Sequence, residues 1–171
     1  MKKRVGLVIL LSLIVAVVVV IVLRWRNRYN RIDYLSRFIV DPYKLASRDE
    51  PDSWTNMDRN LMSRLEKLSH RLGKRLAITS GYRSPAHNRA VGGVANSAHL
   101  KRMAVDIGAF EMDPGELARH AAAVGFRRIG VGRTFIHVDV DHSKAHPTAW
   151  GREVYPSSQF TKAQLMKMLG F

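Results

Sequence analysis

The chain has 171 residues, enough for one modest folded domain and a short additional segment. It contains no cysteine, which excludes disulfide bonds and thiolate metal ligands, so any bound metal must be held by His, Asp or Glu. The formal net charge of +14 indicates an anionic environment: nucleic acid, anionic lipid or a cell-wall polymer.

The first element in chain order is a segment without charge, Val5–Leu23, which follows the basic Met1–Arg4. It is longer than the apolar region of a signal peptide, about 7–15 residues, and no small-residue cleavage site follows it. As a helix it would be roughly 28 Å long, close to the thickness of the hydrocarbon layer. Trp25 and Tyr29 follow where an interfacial aromatic belt is expected. We therefore predict an uncleaved single-pass membrane anchor over residues 1–23.

A basic tether is predicted for residues 24–51, which carry many charges and two acid–proline breaks, Asp41-Pro42 and Glu50-Pro51. The folded domain is predicted over residues 52–171. Its first helix is expected to begin at Asp52 or Ser53 and to end at Gly73. The apolar positions of this helix recur every three or four residues: Met57, Leu61, Leu65, Leu68 and Leu72.

The remaining elements mix strands and helices without a repeating strand–helix–strand period. Strands are predicted at Arg75–Thr79, Met103–Ile107, Arg128–Val131 and Thr134–Val140. A short helix or turn is predicted from Ser84 to Ala90, followed by a flexible loop at Gly92-Gly93. Two further helices are predicted, from Asp113 to Gly125 and at Lys162–Leu169. This pattern favours an α+β fold, in which helices pack on a small antiparallel sheet.

Three side chains have the composition of a catalytic zinc site. His99 precedes Asp106 by seven residues, and His137 lies on a later strand. Two imidazoles and one carboxylate match the three protein ligands that catalytic zinc takes, with one position left open. Neighbouring antiparallel strands would bring Asp106 and His137 together, although each residue alone could equally be an ordinary polar side chain at a strand end.

Several motifs in register resemble the zinc D-Ala-D-Ala carboxypeptidases and related endolysin peptidases, the LAS-type metallopeptidases. They are Ile78–Pro85 (ITSGYRSP), Asn88, Val91–Gly93, Ser97-x-His99 with Asp106, and Phe135–Asp139 (FIHVD), and the similarity extends from about Asn56 to Trp150. The resemblance implies an α+β zinc peptidase that acts on the peptide stems of peptidoglycan. It also implies that His99, Asp106 and His137 bind the zinc and that Arg83 binds a substrate carboxylate.

Two positions depart from the family pattern. Arg102 stands where the pattern has glycine, which is tolerable if the backbone angle is ordinary but would otherwise risk crowding the metal. Thr134 stands where many relatives have the acid that serves as general base. Asp139 is the nearest remaining carboxylate, and residues two apart on a strand share a face. We therefore predict Asp139 as the catalytic proton-handling group, with the orientation of a metal ligand as its alternative role.

The leading prediction is a membrane-anchored Zn²⁺ peptidase whose partner is peptidoglycan peptide and whose domain faces the periplasm or cell wall. The alternative is a non-catalytic peptidoglycan-binding module of the same fold. No nucleic-acid partner is expected, because the basic residues form no recognisable binding motif. The other histidines, His70, His87, His120, His142 and His146, are expected at the surface or in loops, with His142 as the reserve ligand. Which peptidoglycan bond is cut stays open.

Overall fold

The computed structural model describes residues 15–21, 56–151 and 161–171. The chain divides into two units, Met1–Arg37 and Phe38–Phe171. In the first unit, residues 15–21 are helical with exposed side chains. None of the helices in the described ranges has both the length and the apolar character needed to cross a membrane. The predicted anchor extends beyond residues 15–21 on both sides, and the tether lies outside the described residues, so both stay predictions.

The first helix of the second unit, α1, spans Arg59–Leu72. The Oδ1 atom of Asp58 accepts hydrogen bonds from the backbone N–H groups of Asn60 and Leu61, at 2.8 and 3.1 Å. The prediction that this helix begins at Asp52 or Ser53 is wrong, because residues 56–58 are not helical and Asp58 is the cap. Asp52 and Ser53 themselves lie outside the described residues. Gly73 ends the helix in the left-handed conformation, as predicted. The predicted apolar stripe is the buried face of the helix, with Leu61, Leu65 and Leu68 fully buried.

Within residues 56–151, five strands form one sheet: β1 (Ile78–Ser80), β2 (Ala104–Gly108), β3 (Arg128–Val131), β4 (Phe135–Asp139) and β5 (Thr148–Gly151). Their order is β1-β2-β4-β3-β5. Three neighbouring pairs are antiparallel, and β3 pairs with β5 in parallel. The α+β class and the small, mostly antiparallel sheet are thereby confirmed. β5 and its parallel pairing were not predicted.

The other helices in the described part of the unit are α2 (Pro85–Ala90), a 3₁₀-helix (Ala98–Lys101), α3 (Pro114–Ala123) and α4 (Lys162–Met168). The N–H of Glu116 donates to Asp113 Oδ1 at 3.0 Å, so Asp113 caps α3 as predicted. α3 contacts β3, β4 and α1, and α4 contacts β5. The apolar side chains of α3 are therefore placed against the centre of the sheet.

The two faces of the sheet have opposite chemistry, because successive side chains of a strand point to opposite sides. One face is apolar and fully buried, and consists of Val105, Ile107, Ile129, Val131, Ile136 and Val138. On the other face, Asp106 of β2 lies directly opposite His137 of β4, and Asp139 lies opposite Arg128 of β3. Strand register therefore places the candidate metal ligands on the face away from the apolar core.

Candidate metal centre

Three buried side chains converge on the polar face of the sheet: His99, Asp106 and His137. One nitrogen or oxygen atom of each lies within 4.8 Å of the others. β2 supplies Asp106, β4 supplies His137, and the 3₁₀-helix supplies His99. Ser97 begins that helix, with its hydroxyl oxygen accepting the His99 N–H at 3.3 Å. The structure thus brings together the three residues that the sequence singled out as ligands.

The hydrogen bonds of the two imidazoles direct one nitrogen of each ring towards the cluster. His99 Nδ1 lies 2.6 Å from the carbonyl oxygen of Gly81, which can only accept, so Nδ1 carries the proton and Nε2 faces the cluster. His137 Nε2 lies 3.2 Å from Asp139 Oδ2, and its Nδ1 lies 2.9 Å from Asp106 Oδ1. Each ring is held by a hydrogen-bond acceptor on its outer side, so one nitrogen of each ring faces the Asp106 carboxylate oxygen. This set of two nitrogens and one oxygen fits a zinc ion.

Electrostatics keeps the carboxylate of the cluster ionised. Burial raises the pKa of Asp106, but hydrogen bonds from His137 and His99 outweigh burial and hold that pKa far below its ordinary value. Burial lowers the pKa of His99, against the opposing effect of Asp106. Burial also lowers the pKa of His137, but Asp106 and Asp139 reverse the direction and raise it. The same two carboxylates that favour a proton on His137 would favour a divalent cation in its place, next to the anionic Asp106.

Arg83, the predicted substrate-binding residue, lies against the cluster. Its Nη2 donates to Asp106 Oδ2 at 2.6 Å, and its Nε donates to the hydroxyl oxygen of Ser80 at 2.9 Å. The side chain is almost fully buried, yet it lines a cavity beside the cluster. Arg83 therefore fixes the carboxylate oxygen that faces away from the imidazoles. Its binding of a substrate carboxylate stays a prediction.

Asp139 lies on the outer side of the His137 ring. Its Oδ1 accepts from Arg128 Nε at 2.8 Å and from the Asp141 N–H at 3.0 Å, while Oδ2 faces His137 Nε2. The residue is 2% exposed. Burial raises the pKa of Asp139, but its bonds to His137, Asp141 and Arg128 lower it overall. Its two oxygen atoms are thus engaged away from Asp106, which favours the orienting role over proton handling.

Sequence reasoning missed Trp150, which lies on β5. Its ring centroid lies 5.6 Å from that of His137, and the Arg128 guanidinium lies 5.3 Å from the centroid of the indole. Gly130 makes room for this packing, because a Cβ there would lie 2.8 Å from Trp150 Nε1. The contact between Trp150 and His137 could not be predicted, because it depends on the parallel pairing of β5 with β3, which local sequence patterns do not reveal.

Arg102 adopts the left-handed conformation, with φ of 61°, so the backbone angle is not ordinary for an arginine. This explains why a glycine suits the position. The guanidinium lies 3.8 Å from the centroid of the Tyr82 ring. The side chain is therefore accommodated by stacking on an aromatic ring.

The other residues that the sequence singled out divide between surface and cavity. Thr134 is exposed at the turn between β3 and β4, and His142 is exposed and outside the group that could hold a metal. His87 is half-buried on α2 and lines the cavity together with Arg83 and Asp106. No local spacing links His87 to the ligands, so only the folded arrangement identifies it.

An α+β unit with a buried His-Asp-His cluster beside a cavity has the features of a metallopeptidase centre. The family described as Peptidase M15 matches residues 44–141, more than half of the chain. The chain therefore belongs to the M15 peptidase family, which confirms its resemblance to the zinc D-Ala-D-Ala carboxypeptidases. A comparison with curated proteins gave no match.

Proposed function

We propose that this chain is a membrane-anchored zinc peptidase that hydrolyses the peptide stems of bacterial peptidoglycan, with D-Ala-D-Ala carboxypeptidase-like activity. The observation that carries the proposal is the convergence of His99, Asp106 and His137 in a member of the M15 family. The uncharged segment Val5–Leu23 would hold the chain in the membrane. The catalytic unit would then face the periplasm or cell wall, where its substrate lies.

Each residue of the centre has a definite role in this proposal. His99 Nε2, Asp106 Oδ1 and His137 Nδ1 would hold the zinc ion. When bound, zinc acts as a Lewis acid that polarises a carbonyl and makes water more acidic. Arg83 keeps N–H groups beyond those bound to Asp106 and Ser80, and a planar guanidinium is suited to a substrate carboxylate. Asp139 orients His137 from its outer side.

The test measures zinc content and hydrolysis on the purified full-length chain in detergent. We expect about one zinc per chain by elemental analysis and cleavage of purified muropeptides, detected by mass spectrometry. His99→Ala and Asp106→Ala should lose both zinc and cleavage, because each removes a ligand. His70→Ala is the matched control, since His70 is exposed on α1 and should keep both.

Two results would contradict parts of the proposal. Stoichiometric zinc in either ligand variant would show that the ligands are assigned wrongly. Zinc binding without any cleavage would favour the non-catalytic wall-binding module, which the absence of an acid at Thr134 makes a specific alternative. Co-sedimentation of the inactive chain with purified peptidoglycan would then establish that module.

A further inference from the structure

One row of paired residues crosses the polar face of the sheet from β1 to β5. Ser80 of β1 pairs with Asp106 of β2, and Asp106 pairs with His137 of β4. His137 in turn pairs with Gly130 of β3, and Gly130 pairs with Trp150 of β5. Two candidate ligands lie in the middle of this row, so the metal centre has a Ser80 side and a Trp150 side.

The Ser80 side suits the charged end of a substrate. Arg83 donates to the Ser80 hydroxyl oxygen at 2.9 Å and to Asp106 Oδ2 at 2.6 Å. A cavity of about 250 Å³ lies there, with Arg83, Asp106 and Phe135 among its lining residues. A peptide whose carboxylate is held by Arg83 continues past the metal centre on its acyl side, and the row leads there to β3 and β5.

On the Trp150 side, one aromatic side chain lies over a glycine. A Cβ on Gly130 would lie 2.8 Å from the indole Nε1, so the indole occupies the space that a side chain would need. β4 and β5 are two strand spacings apart, about 10 Å, yet the indole centroid lies 5.6 Å from the centroid of His137. Trp150 is half-buried, so part of the indole is accessible beside the centre.

The position of the indole matches the length of a short peptide. An extended peptide advances about 3.3–3.6 Å per residue, so 5.6 Å is more than one residue and less than two. The Arg128 guanidinium lies 5.3 Å from the indole centroid and is itself bonded to Asp139. A ring held in this way offers a rigid apolar surface, which costs little entropy when a ligand binds.

We propose that Trp150 is a specificity-determining residue that binds the second residue on the acyl side of the scissile bond; this rests on the function proposed above. Arg83 and Trp150 would then hold the peptide on opposite sides of the metal centre. The indole supplies apolar contact area and no charge, so its ligand is the aliphatic part of a peptide chain. Binding energy gained away from the scissile bond helps to orient that bond, so longer stems should be cleaved with higher kcat/KM.

The test compares two substrates with the same scissile bond, using the zinc-loaded full-length chain. One is the stem pentapeptide that ends in D-Ala-D-Ala, and the other is N-acetyl-D-Ala-D-Ala, which lacks the second acyl-side residue. Trp150→Ala should lower kcat/KM for the pentapeptide by about 10–200-fold, the range for a small apolar contact in a binding pocket, and should change that for the short substrate little. Trp150→Phe should recover part of the loss, because phenylalanine restores an aromatic surface.

Phe171→Ala is the matched control. Phe171 is likewise half-buried, and the Arg127 guanidinium lies over its ring at the same 5.3 Å, but Phe171 is outside the row of paired residues. This variant should cleave both substrates like the unmutated chain. A zinc content of about one per chain in every variant would show that the metal centre is intact.

Fluorescence gives a second readout that needs no turnover. The chain has three tryptophans, so Trp25→Phe combined with Trp54→Phe leaves Trp150 as the single tryptophan. Titration with the product tetrapeptide, which carries the acyl-side residues, should shift the emission of Trp150 in a saturable way. Free D-Ala, which belongs to the Arg83 side, should not.

Three outcomes would overturn the assignment: unchanged cleavage of the pentapeptide by Trp150→Ala, an equal loss for both substrates, or no saturable change in emission with the tetrapeptide. An equal loss would show that Trp150 only supports the His137 ring. An unmutated chain that cleaves neither substrate would instead contradict the function proposed above, and the role of Trp150 would fall with it.

Discussion

At the scale of single residues, Asp139 shows what residue spacing alone can and cannot predict. Residues two apart on a strand share a face, and the structure places Asp139 on the same face as His137 and 3.2 Å from its ring. Spacing left open whether Asp139 handles protons or orients a ligand. The position of Arg128 favours the orienting role, because its guanidinium donates to the carboxylate on the outer side of the ring.

Asp139→Asn should therefore weaken zinc binding by about 10–100-fold, the usual effect of losing the acceptor behind a metal-bound histidine. Competition with a chromophoric chelator would measure this affinity. Asp113→Asn is the control, because Asp113 is an exposed helix cap and asparagine caps equally well. Unchanged zinc affinity together with a fall in turnover of about 10²–10⁴-fold would instead establish Asp139 as the base.

Arg102 provides a second residue-scale prediction. The left-handed conformation costs an L-residue about 1–2 kcal/mol, and glycine avoids this cost. Arg102→Gly and Arg102→Ala both lose the contact with Tyr82, so their difference isolates the backbone. The glycine variant should be more stable by about 1 kcal/mol in urea denaturation.

Arg119 is an exposed position within α3. There the alanine variant should be more stable than the glycine variant, because alanine is about 1 kcal/mol more favourable than glycine inside a helix. The same order at both positions would contradict the assigned conformation of Arg102.

At the scale of elements, local chemistry was most informative where periodicity is strong. The leucine spacing of α1 and the cap at Asp113 predicted those helices because both signals are encoded within a few residues. β5 was missed because Thr148–Gly151 is short and is stabilised by pairing with β3, which lies well before it in the chain. Because β5 was not predicted, the contact of Trp150 with His137 was missed as well.

The contact between the 3₁₀-helix and the end of β4 leads to a pH prediction. Lys101 Nζ donates to Asp141 Oδ2 at 2.9 Å and thereby links the two segments that carry His99 and His137. Burial raises the pKa of Asp141, but hydrogen bonds from Ser143 and Lys101 lower it well below the ordinary value of 3.8. A depressed folded-state pKa stabilises the fold above 3.8, and this contribution is lost as the pH falls below it.

Asp141→Asn should therefore lower the free energy of unfolding at pH 7 by on the order of 1 kcal/mol. The difference from the unmutated chain should shrink as the pH is lowered below 3.8. Urea titrations of the zinc-free proteins between pH 7 and pH 2 would measure it. Glu111→Gln breaks an ion pair of the same 2.9 Å length between exposed side chains and should change stability little. A difference as large at pH 2 as at pH 7 would contradict the role assigned to the Asp141 charge.

At the scale of the whole molecule, sequence predicted the class of protein better than the details of its centre. Motif order along the chain identified the family and three candidate ligands that the structure brings together. That His87 lines the same cavity as Asp106 could not be predicted, because no local spacing links the two residues. The distribution of charge along the chain, by contrast, can be read directly and leads to a prediction about location.

The full-length chain should fractionate with membranes and resist extraction by high salt. Salt screens the attraction of basic residues for lipid headgroups but does not weaken the insertion of an uncharged helix. Fractionation followed by washing with concentrated salt and then with detergent would measure this. The matched control replaces Ile14 and Val15 with lysine, since each charge near the centre of a spanning helix costs about 2.5–3.5 kcal/mol. This variant should shift to the soluble fraction or become extractable by salt. Release of the unmutated chain by salt, or a mature N-terminus beyond Leu23, would show that the segment is a peripheral or cleaved one.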